Sequence, residues 1–140
     1  MQRHLIFIGA ILAGLAVVTG AFGAHGLEGF LKERFASDHN LFLRRMDNWS
    51  TAALYQMHHA IGMIFVGIVC MFRKSKWLTV AGISFLFGIL LFSGSLYALV
   101  LSEVRVLGAI PPLGGVSSFV GWVALAAGRC CMSNNLTELK

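Results

Sequence analysis

Four long apolar runs leave a lipid bilayer as the medium in which this chain can fold. They cover about residues 5–24, 51–72, 77–101 and 110–128. At a helical rise of ~1.5 Å per residue, each is long enough to cross a hydrocarbon core of about 30 Å. Inside lipid the backbone must satisfy its own hydrogen bonds, so each run is expected to be an α-helix. Composition agrees. Apolar residues make up 57% of the 140 and charged residues 12%, against about 45–50% and about 25% in soluble domains. Too few charges remain to coat a water-facing surface. The length suits one domain, 1–140. The expected fold is all-α: an integral membrane four-helix bundle with an amphipathic surface helix between spans 1 and 2.

That surface helix belongs to the interfacial segment 25–50. Leu27, Phe30, Leu31 and Phe35 recur there at helical spacing, with Glu28, Lys32, Glu33 and Arg34 between them, a pattern fit to lie on a membrane. Asp38 or Asn40 can cap the next helix, and Trp49 is expected at the headgroup level. The formal charge is +5. The cations cluster at the ends of the apolar runs, notably Arg73, Lys74 and Lys76, so lipid headgroups are the expected counterpart and nucleic acid is not. Four spans place both termini on one side. The Lys/Arg balance between sides is nearly even, with Arg129 and Lys140 counted among the terminal side's cations. The dense basic turn at 73–76 favours a cytoplasmic location for both termini. The expected location is a bacterial inner membrane or an organellar membrane.

The stretch Thr51-Ala-Ala-Leu-Tyr-Gln-Met-His-His-Ala60 breaks the apolar monotony of the second run. Polar groups within a span are costly and usually face a bundle interior or a wet cavity. Counted along each helix, Tyr55 lies ~6 Å and His59 ~12 Å below Thr51, Tyr97 ~6 Å and Ser93 ~12 Å from Leu101, Thr19 ~7 Å from Ala24, and Ser117 ~10 Å from Ile110. The expectation is a one-sided polar intramembrane layer of Thr19, His25, Tyr55, Gln56, His59, Ser93, Ser95, Tyr97 and Ser117. Its members form either a functional cavity or a set of interhelical hydrogen bonds. Small residues at Ala16, Gly20, Ala24, Gly94, Gly114, Gly115 and Gly121 are expected to let helices approach closely.

No catalytic signature is present: no phosphate-binding loop, no dinucleotide fingerprint, no nucleophile elbow and no zinc-protease helix. Adjacent His58 and His59 point about 100° apart on a helix and cannot readily share a metal, so neither metal nor cofactor is expected. Cys70, Cys130 and Cys131 form no disulfide framework.

Four ordered motifs resemble a known family. They are Gly20-Ala-Phe-Gly-Ala-His-Gly-Leu27, the Thr51–Ala60 stretch above, Leu91-Phe-Ser-Gly-Ser-Leu-Tyr97, and Pro112-Leu-Gly-Gly115 with Gly121-Trp122. They are similar to the domain of unknown function 423 family, to which transmembrane protein 256 also belongs. The resemblance implies a four-span protein of this size and no established chemistry. It places His25, Tyr55, Gln56, His59, Ser93, Ser95 and Tyr97 on motif positions. His58 and Pro111 depart from the pattern, and 35–49 matches it least.

These observations support three readings. The first is a non-enzymatic structural or accessory subunit that packs against other membrane subunits or further copies of itself. The second is a small permease, or a lipid- or proton-binding bundle that uses the polar layer. The third, a haem or quinone electron carrier, lacks paired axial ligands.

Overall fold

The computed structural model describes residues 2–102 and 104–130. The side chains of Arg129 and Cys130, together with Glu103 and residues 131–140, lie outside that description; they entered the charge and cysteine readings. Among the described residues every regular element is helical. Four helices are long and apolar enough to cross a membrane: Arg3–Arg34, His39–Phe72, Lys76–Ser102 and Arg105–Gly128.

The first span, α1 (Gln2–Phe22), passes through a π turn at Gly23–Leu27 straight into α2 (Glu28–Arg34). The amphipathic segment between spans 1 and 2 is therefore helical and continuous with the first span. Its apolar stripe faces protein: Leu27, Leu31 and Phe35 are buried with Phe42, Trp49 and Val100. Phe30 falls off that stripe and is exposed, with the Arg34 guanidinium 5.5 Å above its ring.

Asp38 starts α3 (His39–Phe72) by accepting from the Leu41 N–H at 2.9 Å. With 34 residues, α3 is ~51 Å long, well beyond a hydrocarbon core of about 30 Å. Its first third packs beside α2 as a short, charge-bearing helical hairpin. Arg73, Lys74 and Lys76 are exposed around the next turn. There Ser75 caps α4 (Lys76–Gly88), its hydroxyl accepting from the Trp77 N–H at 3.3 Å. A second π turn, Ile89–Gly94, joins α4 to α5 (Ser95–Ser102). A 3-10 turn at Arg105–Ala109 then leads into α6 (Pro111–Cys130). Pro111 and Pro112 sit in its first turn, where a missing N–H has no intrahelical partner to lose.

Consecutive spans pack antiparallel: α1 on α3, α3 on α4 and α5, α4 on α6. The main core gathers Ala60, Met63, Val66, Leu78, Ala81, Phe85, Ile89 and Ala124. The closest seam lies between the third and fourth spans. A Cβ on Gly114 would overlap the Phe92 nitrogen, and one on Gly121 would sit 2.7 Å from the Phe85 ring. Gly128 faces Leu78 in the same register. This pairing puts Pro111 level with Ser95 rather than with Leu101, because the 3-10 turn runs back along the outside of α5. The fourth span therefore starts ~9 Å deeper than a count from both helix ends assumes.

Candidate functional site: two polar groups and a lateral groove

The structure divides the expected polar layer. One group forms where α1, α3 and α5 meet. The Trp49 indole N–H donates to the Thr19 carbonyl oxygen at 2.7 Å. The Thr19 hydroxyl donates to the Ala16 carbonyl oxygen at 3.2 Å and lies 2.9 Å from the Tyr97 hydroxyl. A hydroxyl has one proton, so Tyr97 donates to Thr19. Trp49 and Tyr97 also meet edge to face, with centroids 4.6 Å apart. Trp49 is thus a buried interhelical strut and not a headgroup anchor, because an indole N–H finds a partner in a carbonyl on the facing helix. A Cβ on Gly23 would lie 2.5 Å from the Trp49 ring, so the π turn brings a bare backbone against the indole.

Gln56 is buried and donates to the Leu12 carbonyl oxygen at 2.9 Å. Ser95 turns back on its own helix, donating to the Leu91 and Phe92 carbonyl oxygens. Ser93 is buried with no hydrogen-bond partner for its hydroxyl among the described residues. Ser117 donates to the Ser84 carbonyl oxygen at 2.9 Å. The deeper start of α6 puts Ser117 near Ile89, below Thr19 and Tyr97 and outside their layer. His25 is exposed in the first π turn and joins neither group.

Sequence reasoning missed Arg45. It is 7% exposed, and its Nη1 donates to the Leu99 carbonyl oxygen at 2.8 Å. That carbonyl belongs to the last turn of α5, where a cation complements the helix dipole. Arg44 and Arg45 read alike in sequence, and only the helical phase of α3 separates them.

The second group faces outward between α3 and α6. Tyr55, His58, His59, Leu54 and Trp122 line an open recess of ~380 Å³. Tyr55 stacks on Phe92 with centroids 4.7 Å apart, and Trp122 meets Phe85 edge to face at 4.8 Å. His59 lies between these pairs, 5.7 Å from Phe85 and 6.4 Å from Trp122. It is buried, whereas Tyr55 and His58 are exposed. Its Nδ1 lies 2.7 Å from the Tyr55 carbonyl oxygen. Trp122 is also a wall of a second recess of ~400 Å³, lined by Phe65, Val69, Leu78, Leu125, Ala126 and Gly128. The two recesses flank Trp122 along the lateral groove between α3 and α6, the first with polar side chains in its lining and the second lined otherwise by apolar ones. Each lies within the size range of ligand pockets, about 300–1,000 Å³. The rings that pack behind the groove's lining, Phe85 and Phe92, carried no signal in the sequence beyond bulk hydrophobicity.

The close-approach residues also divide. Ala16 is buried, Gly114 and Gly121 touch a neighbouring span, and a Cβ on Gly20 would lie 3.9 Å from Ala53. A Cβ on Gly94 would approach only its own helix, one on Gly115 would meet nothing within 4 Å, and Ala24 is exposed. Gly88, against Ser118, and Gly9, against the Ala60 carbonyl, make contacts that sequence spacing did not single out.

A family profile described as "Protein of unknown function (DUF423)" matches residues 19–115. A UPF0382 membrane protein of Staphylococcus epidermidis is 44% identical over 124 residues, which cover 89% of this chain and 93% of that protein. A UPF0382 membrane protein of Bacillus subtilis is 40% identical over 125 residues, covering 89% and 94%. No solved structure matches the chain. With a profile that covers most of the chain and relatives at least 40% identical over 89% of it, this protein belongs to the DUF423 family of small membrane proteins.

Proposed function

We propose that the protein is a non-enzymatic membrane bundle that holds a membrane amphiphile in the lateral groove between α3 and α6. The carrying observation is the groove's division into a polar recess at Tyr55, His58 and His59 and an apolar recess at Phe65, Val69 and Leu125, with Trp122 common to both. Exposed polar side chains within a span are costly unless something polar meets them, and the head of an amphiphile does so. A mild extraction followed by mass analysis of bound lipids tests this reading. One amphiphile class is expected to be enriched over bulk lipid in the wild type and lost in Ala126→Phe, which fills the apolar recess from its exposed side. Equal lipid content in both proteins refutes it.

A second reading, an accessory subunit or homo-oligomer, is favoured by the first span. Only 11% of its most apolar window is buried within the chain. Ala10, Gly14, Val17, Ala21 and Ala24 recur at helical spacing on its uncovered side, a composition suited to close packing in lipid. Native mass after gentle extraction decides it: a lone 15.2 kDa species argues against any such assembly.

A further inference from the structure

His59 lines the polar recess with one ring nitrogen already committed. Nδ1 lies 2.7 Å from the Tyr55 carbonyl oxygen. A carbonyl oxygen can only accept, so Nδ1 carries the proton, and the neutral ring presents Nε2 as an acceptor. Among the described residues the ring makes no second hydrogen bond. The lining of Leu54, Tyr55, His58, His59 and Trp122 contains no carboxylate, so it offers no counter-ion for an imidazolium. The walls beside it are the faces and edges of Tyr55, Phe85 and Trp122. From His59 to Val69 the groove follows α3 for ~15 Å, and past Trp122 its lining side chains are apolar.

We infer that the groove selects an amphiphile whose head is a hydroxyl, which donates its proton to His59 Nε2 while the chain lies along Phe65, Val69 and Leu125. The inference rests on the groove occupancy proposed above and names the chemistry of the occupant. A methyl ether of the same chain has no proton to give and leaves Nε2 unpaired. A carboxylate or phosphate head brings a negative charge for which the lining holds no permanent cation.

The test uses the full-length protein in nanodiscs with three photoreactive probes. They share one alkyl chain carrying a diazirine and differ only in the head: primary alcohol, methyl ether or carboxylic acid. Crosslinked peptides are mapped by mass spectrometry. At equal membrane mole fraction the alcohol is expected to label Phe65, Val69, Trp122 or Leu125 about threefold more than the ether, the ratio set by one hydrogen bond of about 0.6 kcal/mol in a membrane. That excess disappears in His59→Phe and survives in His59→Gln, whose amide oxygen still accepts. The alcohol-to-ether comparison in the wild type needs no variant to fold. Equal labelling by alcohol and ether, or stronger labelling by the acid, overturns the selection for a hydroxyl and leaves groove occupancy standing. Absence of groove labelling by all three probes overturns the occupancy itself.

Discussion

Replacing Gly114 by Ala tests the seam on which the whole third-to-fourth span packing depends. The added Cβ would overlap the Phe92 nitrogen and stand 2.8 Å from the Leu91 carbonyl carbon and the Phe92 Cα. All three are backbone atoms, so no side chain can swing aside. Ordinary contact begins at 3.4 Å, and the helices must part by about 1 Å to reach it. The same movement stretches the Ser117–Ser84 hydrogen bond from 2.9 Å to ~3.9 Å, beyond any useful geometry. Overpacking of this kind costs about 1–3 kcal/mol, and the lost interhelical hydrogen bond adds about 0.6 kcal/mol. The expected loss is about 2–4 kcal/mol in reversible unfolding from bicelles. Gly115→Ala is the matched control: nothing lies within 4 Å of its Cβ, while its gain in helix propensity is the same. The difference between the variants therefore isolates packing. Equal stability of the two, within about 0.5 kcal/mol, would refute the close seam.

Arg45→Ala removes the donor that meets the Leu99 carbonyl at 2.8 Å; a loss of about 1–3 kcal/mol is expected in the same unfolding assay, and an unchanged midpoint would deny Arg45 its capping role. Thr19→Val and Tyr97→Phe remove the same hydrogen bond, so each is expected to cost about 0.6 kcal/mol and the double variant little more than one of them, whereas additive losses would show that the two residues act apart. For orientation, Lys74→Cys is expected to react with a membrane-impermeant thiol reagent only from the cytoplasmic face. Labelling of intact cells from outside would invert the proposed topology.

The spans were legible in the sequence because hydropathy over some twenty residues averages out local error. The Asp38 cap was legible too, since its side-chain chemistry acts on the neighbouring N–H groups. Features that depend on a second helix were not. Trp49 suits a membrane interface by composition, and only the Thr19 carbonyl opposite explains its burial. The depth of Ser117 counted from the helix end is wrong because the 3-10 turn runs back along α5 before the fourth span begins. The π turns at Gly23–Leu27 and Ile89–Gly94 shift the helical phase without any residue pattern that announces them. Gly114 and Gly115 are neighbours of one type, yet one meets backbone and the other open space. The groove needs α3 and α6 side by side, so neither helix shows it alone.

The hydrogen bonds explain why the groove lies where it does. Gln56 to Leu12 and Trp49 to Thr19 tie the first two spans into one hairpin. Ser117 to Ser84 and the glycine seam tie the last two into another. Where the hairpins meet on the side of α5, Thr19 bonds to Tyr97 and Arg45 to Leu99. Deeper in the bundle the join is made by rings, with Phe85 against His59 and within 3.0 Å of the Cβ position on Gly62. Ring packing is weakly directional compared with a hydrogen bond, so the outer edge of this join can stay open without breaking either hairpin. The groove occupies that edge, with one wall from each hairpin.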